Sequence, residues 1–224
     1  MKPRVAFIVP DRVGRFRLLT LAILLMILVR PLLEGWIGIR LLTDLLFFGI
    51  FLSGIFAARG DKFGYQTALL LSGGALAART ARHLDGVPIL VLLSEGLTAL
   101  FFAHALWNIR EHIRTESKVT QDLIFAAICA YLLIGLLWAY AYYFLEQARP
   151  GSFKAAEAMV GDLWGFFYFS FVTLTSLGYG DIVAASRPAR SLVIVEAVVG
   201  QLYLATLIGR LVGAYAAQFR GGDV

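Results

Sequence analysis

The sequence predicts an all-α integral membrane protein with six membrane-spanning helices per chain and a short re-entrant helix and loop between the fifth and sixth. Two observations carry the class. Of 224 residues, 59% are hydrophobic and 16% charged, with a mean hydropathy of +0.77, too little polar surface for a soluble globule. Several apolar runs also reach the roughly 20 residues that span a bilayer. A third observation sets the layout: the aromatic run at 163–172 is too short to cross and leads directly into a loop with two glycines.

Residues 1–17 form a basic tail with Lys2, Arg4, Arg12, Arg15 and Arg17. The apolar run at 18–33 follows. A secretory signal begins in the same way, but this run continues into Arg30-Pro31 and Glu34 without a small-residue cleavage site, so it reads as a retained first span. The second span, 41–58, is closed by Arg59-Gly60-Asp61-Lys62. The third, 65–81, contains Gly73-Gly74, small enough to admit a neighbouring helix. The fourth is 88–107. Together, residues 18–107 make a four-helix transmembrane domain.

A polar connector at 108–121, with Arg110, Glu111, Arg114, Glu116 and Lys118, separates that domain from a second membrane unit at 122–218. This unit holds the fifth span (123–145), a short helix (161–175), the glycine-containing loop and the last span (190–217). A half-helix is tolerated at membrane depth only where protein or a water-filled cavity surrounds its end. A short tail, 219–224, closes the sequence. Only Gly221 to Val224 follow Arg220, so control through a C-terminal ligand-binding domain is not expected.

Charge placement orients the spans. With the tail inside, Arg59, Lys62, Arg110, Arg114, Lys118 and Arg220 join its five charges on the inner face, against Arg30, Arg40, Arg79 and Arg82 in the outer loops. Arg149, Lys154, Arg187 and Arg190 beside the short helix weaken this bias without reversing it. Both termini are expected to be cytoplasmic. The formal charge of +5 does not imply nucleic-acid binding, because the basic residues sit at helix ends rather than in one stripe. Cys129 is the sole cysteine, so no intrachain disulfide and no cysteine metal site is expected. His83, His104 and His112 fall on separate segments, and no catalytic or metal-ligand spacing emerges. Neither an enzyme nor a cofactor is expected.

The loop Thr173-Leu174-Thr175-Ser176-Leu177-Gly178-Tyr179-Gly180-Asp181 is the centre of the reading. Two glycines flanking one aromatic can take backbone angles closed to other residues, so successive carbonyls can turn to one side. The Ser176 hydroxyl adds another oxygen to that row. Potassium gives up its hydration shell only where a cage of oxygens replaces it. Thr175 to Asp181 resembles the signature of potassium channels, Thr-Thr-Val-Gly-Tyr-Gly-Asp, with Ser176 in place of threonine and Leu177 in place of valine.

The resemblance implies a passive potassium-selective channel of the prokaryotic six-span type, in the cell inner membrane. It implies a selectivity filter of Thr175, Ser176, Leu177, Gly178, Tyr179, Gly180 and Asp181. K+ would sit at the backbone oxygens of Ser176, Leu177, Gly178 and Tyr179, with Asp181 at the outer mouth. The motif occurs once, and one loop cannot enclose an ion, so a homotetramer in contact with membrane lipids is expected. Ser176 and Leu177 also leave open a less selective cation channel. A non-conducting membrane sensor or scaffold with a pore-like unit is the reading from another class.

Several residues outside the loop carry expectations. Gly200 falls where the inner helix of related channels often bends, and it equally fits a helix-packing glycine. Gln201, Leu204 and Ile208 are spaced to line the cavity below the filter, with the Gln201 amide facing either a hydrated ion or a neighbouring helix. Glu196, ionisable within a span, is a candidate regulatory group or a structural hydrogen bond behind the short helix. Six spans with the loop before the last match the layout of voltage-gated channels. However, 88–107 has no Arg or Lys, and Arg79 and Arg82 form only a pair, so little intrinsic voltage sensing is expected. Glu95 and His104 are candidates for a proton-linked switch. Arg40 and Asp44, four apart, are expected to pair near the surface. Trp36, Trp107, Trp138, Tyr140, Tyr142 and Tyr143 read as interface anchors or core.

Overall fold

A computed structural model describes residues 14–33, 38–60, 62–85, 88–116, 120–155 and 162–220. Most of the basic tail, Trp36, the last four residues and the side chains of Arg40, Arg82 and His83 lie outside the described residues.

Helices form where the apolar runs predict them: α1 (Arg15–Leu32), α2 (Ile39–Ala57), α3 (Lys62–Asp85), α4 (Pro88–Thr115), α5 (Gln121–Ala148), the short α6 (Leu163–Leu174) and α7 (Arg187–Arg220). A single 3-10 turn, Ala58–Gly60, links α2 to α3. Among the described residues, three helices are long and apolar enough to cross a bilayer: α4, α5 and Arg187–Arg210 of α7. Leu41–Ala57 and α6 are shorter apolar helices. At 1.5 Å per residue α6 rises only about 18 Å, well short of the ~30 Å hydrocarbon thickness. The fold is that of a helical membrane protein.

Two features were not anticipated. Helix α4 continues to Thr115, so the first part of the polar connector is helical. Two three-residue strands, β1 (Phe153–Ala155) and β2 (Ile182–Ala184), pair antiparallel with Lys154 opposite Val183. They modify the all-α expectation for a physical reason. The chain before α6 and the chain after the loop have no helix to satisfy their backbone groups, so they satisfy one another. The Ser152 carbonyl extends the tie, accepting from the N–H of Ala185 (2.8 Å) and Ser186 (3.1 Å).

One apolar core runs from the first four helices into the second unit. Phe16, Leu19, Ile23 and Met26 of α1, Phe47 and Phe51 of α2, and Phe101 and Phe102 of α4 belong to the same buried cluster as the inward faces of α5 and α6. Both α1 and α4 pack on α5 of their own chain. The Phe16 N–H donates to Asp122 (3.3 Å), and the Thr20 hydroxyl lies 3.2 Å from the Phe125 carbonyl. Tyr140 is fully buried between Phe102 and Phe167, at centroid distances of 6.0 and 5.7 Å. Of the aromatics left open by the sequence, Tyr140, Tyr142 and Tyr143 are core, whereas Trp107 is exposed. Of the paired glycines, Gly74 approaches Leu97 of α4, and Gly73 faces open space.

Candidate functional site: the loop after α6

The loop is built from the way α6 ends. The N–H of Leu177 bonds to the Val172 carbonyl (2.9 Å), and the N–H of Ser176 to that of Thr173 (2.9 Å). These crossed bonds form a Schellman motif, whose residue just past the cap adopts the left-handed conformation. Here that residue is Ser176, at φ +58°, the only non-glycine with positive φ among the described residues. A left-handed residue with a Cβ costs roughly 1–2 kcal/mol. A β-branched residue there would fit still less well.

The sign of φ then alternates. Ser176, Gly178 and Gly180 are positive at 58°, 59° and 79°, while Leu177 and Tyr179 between them are not. A segment that reverses its hand at each residue neither coils nor pleats. It advances as an irregular strand with its peptide groups free to face one direction. The C-terminal end of α6, the negative end of its dipole, lies at the start of this strand, where it favours a cation.

Each end of the strand is held by side chains from a different helix. At its start, the Gln201 amide of α7 donates to the Ser176 hydroxyl (2.9 Å), and the Tyr131 hydroxyl of α5 donates to the Leu174 carbonyl (3.3 Å). At its far end, the Tyr168 hydroxyl donates to Asp181 Oδ2 (2.5 Å), and the Ile182 N–H donates to Oδ1 (3.0 Å). The Tyr168 bond in particular holds the exposed Asp181 carboxyl below its ordinary pKa. Further back, Glu146 at the end of α5 accepts from the N–H of Gly151 (2.7 Å) and Phe153 (3.1 Å), fixing the turn that enters β1. Phe153 in turn packs edge-on against Tyr142, Phe166 and Phe169.

Behind α6 lies Glu196, fully buried on α7. Its Oε1 is 2.5 Å from the Ser170 hydroxyl of α6, and the Tyr142 hydroxyl of α5 donates to Oε2. The Ser170 hydroxyl also lies 2.7 Å from the Gly135 carbonyl of α5. One side chain thus connects three helices. Gly200, one turn further on, is where α7 meets the end of α6. A Cβ there would fall 2.5 Å from the Leu174 carbonyl oxygen and 2.9 Å from the Leu174 side chain. α7 runs helical through this point. Below it, Leu204 is half-buried and Ile208 exposed on α7.

The remaining candidates lie in the first four helices, away from the loop. Arg79 of α3 is buried and sits among Glu95 of α4 (2.9 Å), Asp44 of α2 (3.6 Å) and the Phe47 ring, 3.8 Å from the guanidinium carbon. The Tyr140 hydroxyl of α5 donates to the same Glu95 oxygen (3.1 Å). Asp44 therefore reaches across to α3; its expected partner Arg40 has no described side chain. His104 Nε2 lies 2.9 Å from the Gly64 carbonyl of α3 and 3.1 Å from the Asn108 amide. Arg210 of α7 donates to the carbonyls of Ile113 and, at 3.2 Å, Glu116, which close the end of α4.

Sequence reasoning missed Glu146, Tyr168, Ser170 and Arg210. The signal for Tyr168 was a polar-tipped aromatic in a phenylalanine-rich helix, 13 positions before Asp181. Nothing local marks the other three.

Two comparisons bear on this region. Residues 126–216 match a family model described as "Ion channel". Over 117 residues, half of this chain, the sequence is 38% identical to the inward rectifier potassium channel Kirbac3.1 of Paramagnetospirillum magnetotacticum. The match covers 36% of that relative's length.

Proposed function

We infer, from the likeness of residues 126–216 to an ion-channel family model and of half the chain to a potassium channel, that this protein belongs with the potassium channels and conducts K+ passively across a membrane. Four copies of the loop surround the ion in this reading. The backbone oxygens of Ser176, Leu177, Gly178 and Tyr179 replace its water, and Asp181 faces the outer mouth. The homotetramer follows because one strand offers a cation only one side of a cage. The large apolar residues exposed along α7, Ile194, Val195, Val198, Leu202 and Ile208, supply surface for neighbouring copies and for lipid. Six spans, with both termini on the inner face, follow from the charge distribution. The permeant ion is the one ligand the mechanism requires.

The observation that carries this reading is the alternating hand at Ser176, Gly178 and Gly180, directly after the capped end of α6. A plain glycine turn between two helices has no use for three left-handed residues at every second position.

The first four helices do not act as a voltage sensor in this reading. Their one described buried arginine is held by carboxylates on two other helices and stacked on Phe47. Moving it through the field would break those contacts before gaining the ~2.3 kcal/mol per charge and 100 mV that the field supplies.

Purified protein in liposomes tests the function. Flux is expected with potassium, much less with sodium, and block by barium. Equal potassium and sodium flux would replace the selective channel with a general cation pore, and absence of flux would leave a scaffold.

A further inference from the structure

We propose that Glu196 is a neutral carboxylic acid that donates its proton to Ser170, and that it thereby acts as a positioning residue for the short helix that carries the filter. The functional part rests on the channel reading above; the protonation does not.

The argument is a count of protons. Ser170 Oγ lies 2.7 Å from the Gly135 carbonyl oxygen and 2.5 Å from Glu196 Oε1. A serine hydroxyl has one proton to give, and a carbonyl can only accept. An ionised Glu196 could also only accept. One of the two contacts would then press two lone-pair oxygens together with no proton between them. A proton on Oε1 removes the conflict. Glu196 donates to Ser170, Ser170 donates to Gly135, and Tyr142 donates to Oε2, so every close contact has its own proton.

The surroundings agree. Glu196 has no solvent exposure, and among the described residues no Lys, Arg or His forms an ion pair with it. An uncompensated carboxylate there would carry a desolvation cost of several kcal/mol. The titratable groups facing it are Tyr142 and Tyr131, both on α5, and α6 contributes Ser170, which does not titrate. Two hydroxyls and a neutral acid thus form a relay from α7 through α6 to the backbone of α5. The relay reaches α6 four residues before Leu174. Loss of the proton would leave Ser170 to choose between Glu196 and Gly135, loosening either α7 or α5 from the helix that holds Ser176 and the loop.

Glu196→Gln tests this directly. The glutamine amide donates to Ser170 and its carbonyl accepts from Tyr142, so it reproduces the neutral acid and cannot ionise. At neutral pH, Glu196→Gln is expected to match the wild type in thermal midpoint in detergent and in potassium flux. The infrared difference between the two should contain a protonated-carboxyl stretch and no carboxylate bands. On raising the pH, wild-type flux is expected to fall while Glu196→Gln flux does not. Glu196→Ala, which deletes the relay, should lose about tenfold in flux, the scale of one buried polar group left unpartnered.

Carboxylate bands that vanish in Glu196→Gln at neutral pH would overturn the proposal, as would failure of Glu196→Gln to assemble, since each contact of the neutral acid survives in it. A protein that conducts nothing yet shows the protonated band would sink the channel reading and leave the protonated strut standing.

Discussion

Gly200 is the position where two explanations of one residue predict different measurements. The sequence allows it to be a bending point of the last helix or a packing contact. Its surroundings support packing, since an added Cβ would stand 2.5 Å from the Leu174 carbonyl oxygen, where real Cβ atoms essentially never come closer than 3.0 Å. In Gly200→Ala, α7 or the end of α6 must therefore move by at least half an ångström. The obstacle is backbone, and it is the same carbonyl that accepts from Tyr131, two residues before Ser176. No side-chain rotation relieves it. Overpacking of this kind costs about 1–3 kcal/mol. Replacing a mid-helix glycine with alanine returns roughly 0.5–1 kcal/mol. The clash wins, for a net loss of about 1–2 kcal/mol.

The expected result is a lowered thermal midpoint together with altered selectivity, because the displaced carbonyl sits at the root of the loop. Gly73→Ala, with nothing within 4 Å of its added Cβ, is the matched control and should show neither effect. If Gly200→Ala kept full stability and selectivity while changing only the opening rate, Gly200 would be a hinge and the packing argument would be wrong.

The other expectations follow from named contacts. Tyr168→Phe removes the strongest bond holding Asp181 below its ordinary pKa. A depressed carboxyl contributes stability that is present above its unfolded pKa and lost as pH falls through the folded one. The acid limb of channel activity should therefore move to higher pH in the variant, and an unmoved limb in a pH titration of flux would count against the contact. Arg79→Met removes the guanidinium that sits between buried Glu95 and partly exposed Asp44 and should cost about 3–5 kcal/mol in thermal unfolding, the scale of breaking a buried ion pair such as that with Glu95. Adding Glu95→Leu should recover part of that loss. A double variant no better than the single one would show that the loss does not come from the Glu95 carboxylate.

What was legible in the sequence was whatever depends on neighbours along the chain. Apart from α4, which runs on to Thr115, the helices begin and end within a few residues of the apolar runs, and α6 is short because its run is short. The glycines of the loop marked two of its three left-handed positions. Ser176 was marked for its hydroxyl and not for its left-handed backbone, because that conformation is imposed by the crossed bonds to Val172 and Thr173, a property of how the preceding helix ends rather than of serine. Glu196 was marked as an ionisable group within a span, regulatory or hydrogen-bonded behind the short helix, but its partners Ser170 and Tyr142 stand 26 and 54 positions away. Arg210 and the end of α4 are separated by nearly a hundred residues. No periodicity encodes such pairs; they exist only once α7 lies against α5 and α6.

These long-range bonds solve a problem the loop creates for itself. In the channel reading, a strand that alternates hand keeps its peptide oxygens available for an ion by giving up the internal hydrogen bonds of a helix or sheet, and it carries the cost of Ser176 besides. A net hydrogen bond contributes about 0.5–1.5 kcal/mol, so no single contact compensates for both. Gln201 on Ser176, Tyr131 on Leu174, Tyr168 on Asp181 and the Ser170–Glu196–Tyr142 relay approach from α7, α5 and α6, and the β1–β2 tie closes the far end of the loop. A strained conformation persists only where its surroundings over-determine it. Supports drawn from three helices meet that condition, and they make the loop sensitive to any displacement of α7. The same helix reaches α4 through Arg210, so movement of the first four helices has a hydrogen-bonded path, α4 to Arg210 to α7, to the foot of the loop.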